Sequence, residues 1–160
     1  MFFPSALGAA NDAMDGGRYA EAASLYEGAA AESRAAGDTL TFRMMAVLAV
    51  KAYGRSGDPG NATRLAISTV DVLQGLAMVP EIPGVAHKML AALRAQGHAV
   101  SADGISAHVA QVVGAAWSDA GAAKLPAFCA SCGAAVKPAE IVHPTPSTVA
   151  CRYCGASLAR

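Results

Sequence analysis

The amino-acid sequence predicts a mainly α protein: three helical hairpins arranged as an α-solenoid, followed by a small C-terminal β module. Three observations predict it. About a quarter of the 160 residues are alanine, the strongest helix former and the smallest residue with a Cβ, so closely approaching helices are expected. The chain repeats with a period of about 40 residues up to about residue 120. Beyond that point the helical pattern stops, and all four cysteines fall in the stretch from Cys129 to Cys154.

Gly17, Gly57 and Gly97 mark the repeat, each followed five positions later by Ala22, Ala62 and Ala102 and preceded eleven positions earlier by Ala6, Ala46 and Ala86. Leu25, Leu65 and Ile105 align as well, as do Ala10, Val50 and Leu90. Each unit reads as two helices joined at the glycine. The first helices are predicted at Ser5 to Asp15, Thr39 to Arg55 and Glu81 to Gln96, the second ones at Ala20 to Ala36, Asn61 to Ala77 and Ser101 to Ala120. Breaker clusters at Gly16-Gly17, Gly57 to Gly60 and Gly97-His98 separate the partners, and Pro80 with Pro83-Gly84 divides the second unit from the third. Gly37 followed by Asp38 and Thr39 supplies a helix-ending glycine and an N-cap for the next helix.

The first unit, running from Ala10 through Gly17-Arg18-Tyr19-Ala20-Glu21-Ala22 to Tyr26 and Ala29, resembles a tetratricopeptide repeat. The resemblance implies small residues where the two helices cross, here Ala10 and Ala22, and an aromatic after the turn, here Tyr19. The family's early tryptophan is replaced by Ala6, Ala46 and Ala86, Pro59 and Ala99 stand where Tyr19 stands, and the period exceeds the family's usual one. The resemblance covers about residues 5–120. A domain over 1–120, a linker over 121–127 and a second module over 128–160 follow.

That second module reads Cys129-Ala-Ser-Cys132-Gly133 and, beyond the stretch ending at Ala150, Cys151-Arg-Tyr-Cys154-Gly155. The gap between the two pairs suits a four-cysteine zinc site. Each C-x2-C turn presents two thiolates to one ion, and the glycine permits the left-handed turn that closes the knuckle. Cys129, Cys132, Cys151 and Cys154 are therefore the expected ligands of one structural Zn2+. Short strands are expected over Ala134 to His143 and Ser147 to Ala150, with the bend at Pro144 to Pro146. The tail resembles a zinc ribbon. A rubredoxin-like iron site is the alternative metal, and a thiol redox pair or disulfides the non-metal one; His143 reads as a surface-turn histidine instead of a ligand.

Composition bounds the function. With 54% hydrophobic and 15% charged residues the chain is too apolar for a disordered polypeptide. Charges or prolines interrupt every long apolar stretch, and the longest uncharged one outside the tail, Gly104 to Ser118, falls short of the roughly 20 residues of a membrane span. No basic leader precedes Arg18, so a cytoplasmic location is expected. The formal net charge of zero argues against a whole-protein nucleic-acid footprint, yet it sums two unlike halves. Residues 1–123 hold eight cations against eleven anions, and residues 124–160 hold four against one.

The tetratricopeptide resemblance implies a groove lined by the first helices, at Leu7, Asn11 and Asp15, then Val47, Lys51 and Arg55, then His87, Ala91 and Arg94. Five of these, Asn11, Lys51, Arg55, His87 and Arg94, form the candidate partner groove, suited to an acidic segment or a C-terminal carboxylate. Lys51, Arg55 and Arg94 also lie near predicted helix C-termini, where cations are favoured without a ligand. Met44, Met45, Met78 and Met89 read as packing residues, Trp117 as a cover for the end of the array or the ribbon, and His108 as a satisfied core or interface residue. Asp12 and Asp15, one turn apart, read as a solvated face, and no catalytic constellation is evident. The expected function is a non-enzymatic adaptor or scaffold subunit that binds a protein partner through the array. A ribbon that binds nucleic acid while the array recruits a partner is the alternative, and an iron electron carrier the minor one.

Overall fold

The computed structural model describes residues 4–114, 117, 126–136, 142–145 and 148–158. Among the described residues six helices form: α1 (Pro4–Asp15), α2 (Tyr19–Ala35), α3 (Thr39–Arg55), α4 (Pro59–Gly75), α5 (Ile82–Ala95) and α6 (Ala99–Val113). One turn type joins the first five to their successors. A residue at φ between 58° and 83° ends each helix, at Gly17, Gly37, Gly57, Ala77 and Gly97. The N–H after it returns to a carbonyl five positions back, as in Arg18 to Ala13 (2.8 Å), Asp38 to Ser33 (2.9 Å) and His98 to Leu93 (2.9 Å). The period seen in the sequence is thus two helix-and-turn modules of equal length.

The residue that closes one helix also opens the next. Asp38 Oδ1 accepts from the Thr41 N–H at 3.0 Å, and Asp58 Oδ1 from the Asn61 N–H at 3.0 Å. Pro59 follows Asp58 at the first helical position, where its missing N–H costs nothing. The Ala77 turn differs, leading through a 3-10 turn at Val79–Glu81 before α5 begins.

Packing follows the repeat columns. Ala22, Ala62 and Ala102 are fully buried, as are Ala46 and Ala86, and Ala10, Val50 and Leu90 line the same core; Ala6 and Leu25 are half-buried. Successive helices α1 to α4 pack in order, α5 packs on α6, and α3 on α5 and α4 on α6 carry the core from the second hairpin into the third. Small residues let the backbones approach while Leu73, Met89, Leu90, Leu93 and Ile105 fill the space between, each burial worth about 1.5–3 kcal/mol. Gly54 shows how close the approach is, because Gln96 Oε1 occupies the place where a Cβ would stand. Gln96 donates to the Lys51 carbonyl (3.1 Å) and His98 Nε2 bonds the Gly54 carbonyl (2.8 Å), so the last turn of α3 is covered by the turn between α5 and α6. Glu27 of α2 ties in two more helices, accepting from Tyr53 of α3 at 2.6 Å and from Arg64 of α4 at 2.9 Å. Burial and the Glu27 bond push the Tyr53 hydroxyl up to about 12.

Several expectations are corrected. α6 ends at Val113, not at Ala120, because Gly114 adopts φ 69°; residues 118–120 lie outside the described ones. Trp117 returns to the array, stacked on His87 with ring centroids 4.6 Å apart, and donates from Nε1 to Ser106 Oγ at 3.1 Å. It is buried, covering the α5 and α6 surface. Met45 and Met89 are core, but Met44 is exposed. His108 is, as expected, a satisfied interface residue: half-buried on α6, it reaches Asp71 of α4 at 2.7 Å.

The tail contains two short antiparallel strands, β1 (Val142–Thr145) and β2 (Thr148–Ala150), paired with Val142 opposite Ala150 and Thr145 opposite Thr148. Pro144 sits inside β1 and not at the bend, which a two-stranded ribbon tolerates because each strand has an unpaired edge. Ala135, placed in the first strand by sequence, instead bridges Phe128 across the first knuckle; residues 137–141 and 146–147 of the expected hairpin lie outside the described ones. Ala127, assigned to the linker, already accepts from the Val136 N–H at 2.9 Å, whereas 121–125 are not described.

Candidate metal centre and helical cleft

The two cysteine knuckles are near copies of each other. In the first, the Gly133 N–H bonds the Cys129 carbonyl and the Cys129 N–H bonds the Ala134 carbonyl, both at 2.8 Å. In the second, Gly155 bonds Cys151 and Cys151 bonds Ala156, again at 2.8 Å. Gly133 and Gly155 share φ of 72° and 74°, the left-handed geometry for which the sequence places glycine there. In each knuckle the first cysteine is buried and the second exposed.

Facing each other, the knuckles bring four Sγ atoms within 4.8 Å of one another, with Cys129 to Cys154 and Cys132 to Cys151 both at 3.7 Å. Sulfurs at the corners of a zinc tetrahedron, with bonds of about 2.3 Å, stand about 3.8 Å apart. The donor set fits a metal ion. Its electrostatics point the same way. N–H groups of Cys132 and Ser131 directed at the Cys129 sulfur lower its thiol to about 7. At Cys132 the Ala134 N–H acts in the same direction, but hydrogen bonds with Cys154, desolvation, and further bonds with Cys151 and Cys129 outweigh it and push the thiol up to about 12. Backbone donors prepare Cys129 for negative charge, while the neighbouring sulfurs keep the proton on Cys132 in the absence of a cation.

The five residues of the candidate partner groove lie on the first helices α1, α3 and α5, and most of their side chains make contacts within the array. Asn11 accepts from the Tyr26 hydroxyl at 2.7 Å, within its own hairpin. Arg55 lies over the Tyr19 ring, 5.5 Å from its centroid, in a shallow depression with Arg18 and Ser56. His87 is covered by Trp117, and Arg94 reaches Asp103 of α6 at 3.1 Å. Lys51 is half-buried, its carbonyl occupied by Gln96.

An apolar cleft of about 400 Å³ opens instead between α3 and α5. Leu40, Met44, Val47 and Leu48 form one wall, and Gly84, Val85 and Lys88 the other, with an Arg43–Glu81 ion pair joining the two. Of the groove positions mapped from sequence, only Val47 lines it. The missed signal is legible in α3: Phe42, Met45, Ala46, Ala49 and Val50 already form the buried stripe, so Leu40 and Met44 begin a second apolar stripe outside the core, which Val47, half-buried against the core, continues. In the tail, Phe128 just before the first knuckle and Tyr153 within the second are exposed aromatics. No helix among the described residues is long and apolar enough to cross a membrane. No protein family, curated protein or solved structure matches this chain.

Proposed function

We propose that this chain is a non-enzymatic adaptor: a tetratricopeptide-like α-solenoid over about residues 1–120 that binds a protein partner, joined by residues 121–127 to a zinc ribbon over 128–160. The observation that carries the reading is the matched pair of knuckles around one point. Four sulfurs fill every position of a tetrahedral ion, so the metal holds the fold and offers no open site for chemistry. A tail this short buries too little to fold unaided, and zinc contributes folding free energy of order 10 kcal/mol. What the molecule then presents is surface: the α3–α5 cleft and the aromatics beside the knuckles. A cytoplasmic setting suits the reading, since thiols there stay reduced for metal.

The test is metal analysis with variants. Purified protein is expected to carry one zinc per chain and no visible absorption, and Cys132→Ser or Cys154→Ser to lose both the metal and the ordered tail. An iron chromophore, or a tail that stays folded in both variants, overturns the metal reading. Capture of a specific protein partner in cell extract tests the adaptor reading.

A second reading is favoured by Arg152 beside exposed Tyr153 in a tail of net charge +3, four cations less one anion. There the ribbon binds single-stranded nucleic acid by stacking and phosphate contact. A salt-dependent mobility shift of an oligonucleotide supports it, and no shift at low salt ends it.

A further inference from the structure

We infer that the α3–α5 cleft is a self-association surface whose occupant is the same cleft of a second copy, packed about a two-fold axis through α5. The inference rests on the reading of the array as an interaction module and names its partner. Leu40 and Met44 are 60% and 55% exposed on the cleft wall, two large apolar side chains one turn apart on a helix that already buries another face. Scattered apolar residues are ordinary on a surface, but here they line one cavity with Val47, Leu48 and Val85.

The charges on the rim decide the occupant. Lys88 forms no ion pair among the described residues, and Glu81, in the turn that opens α5, keeps about half of its side chain exposed beside Arg43. A foreign segment would have to bring an acid for Lys88 and tolerate Glu81 two turns away, about 10 Å along the helix. A second copy running antiparallel meets both conditions at once. In a two-fold arrangement centred between Gly84 and Val85, Glu81 of each copy faces Lys88 of the other, and Lys88 faces Glu81. Gly84 lies at that centre with nothing within 4 Å of where a Cβ would stand, so two α5 helices can approach closely there. Acid, gap and base along one helix are self-complementary in the order an isologous contact requires.

The test is sedimentation equilibrium of the full chain, with helicity checked by circular dichroism. The wild type is expected to dimerise reversibly with rising concentration. Gly84→Gln, whose side chain enters open space in the monomer, is expected to weaken the dimer by at least about tenfold without lowering the melting temperature of dilute protein. Lys88→Glu, which sets like charges opposite each other, weakens it likewise, and the exchange Glu81→Lys with Lys88→Glu restores it. A wild type that stays monomeric at all concentrations overturns the inference, as does a dimer indifferent to Gly84→Gln and Lys88→Glu. A monomer whose cleft binds a foreign protein overturns it too, while leaving the adaptor reading intact. Loss of zinc or an iron chromophore bears on the ribbon alone.

Discussion

Asp58 holds the first turn of α4 through two groups of Asn61, the backbone N–H at 3.0 Å and the side-chain amide at 2.7 Å. These bonds keep its carboxyl below the usual carboxylate range, the backbone bond most of all, and Asp38 is held down similarly by Thr41. The sign follows from linkage: a depressed carboxyl stabilises the fold above its unfolded value near 4 and loses that contribution as pH falls through its lowered folded value. Asp58→Ala should therefore lower the melting temperature by a few degrees at pH 7. The gap between variant and wild type should narrow in thermal melts as pH drops below about 4. An unchanged gap at acid pH would show that packing, not the carboxylate, sets the difference. Caps of this kind are readable at residue level, because aspartate before a helix has one strong local use. The groove residues are not. Asn11, Arg55 and His87 do lie on first helices, but Tyr26, Tyr19 and Trp117 claim their side chains, and nothing in local spacing reveals a partner that lies on another element.

At the scale of the element, Ala77 is the exception among the turns. It takes φ 58° where Gly17, Gly37, Gly57 and Gly97 occupy the equivalent positions. Its Cβ strains against the left-handed backbone by roughly 1–2 kcal/mol, part of which glycine would lose again to unfolded-state freedom. Ala77→Gly is expected to stabilise the protein by about 0.5–1 kcal/mol in denaturant titration; destabilisation would mean that the Ala77 side chain makes a contact that matters more than its strain. Because the glycine pattern breaks at this point, the sequence repeats once per hairpin while the backbone repeats once per helix. Helix existence is legible from alanine content and glycine spacing. The end of α6 is not, since Gly114 reads as one more small residue in an apolar stretch until Trp117 is seen folding back to Ser106.

For the whole molecule, the two sources of order are separate in kind. The helices rest on buried alanine and leucine columns, and the knuckles on sulfur. Chelating the metal with excess EDTA is expected to disorder the tail while leaving the helical signal and its melting temperature within a few degrees of the untreated protein. The single Trp117 fluorophore, held between His87 and Ser106, would keep its buried emission. A red shift of that emission on chelation would show instead that the array depends on the metal. The four-cysteine cluster is the most legible feature, because four cysteines in two short knuckles carry their geometry in their spacing. The cleft is the least, because its walls come from helices that another helix separates along the chain, and only packing decides which of two apolar stripes on α3 stays outside.

The shared residue at the turns has a mechanical consequence. Arg18, Asp38, Asp58 and His98 each close one helix and begin the next, so no slack chain separates α1 from α2, α2 from α3, α3 from α4 or α5 from α6. A pull along the chain finds no hinge at those junctions, and tension passes directly from one helix to its neighbour. The exception is the longer junction at Ala77 to Glu81, between the second hairpin and the third. Under load that junction is where chain can be drawn out first, while the packing of α3 on α5 and α4 on α6 still holds the four-helix and two-helix pieces together.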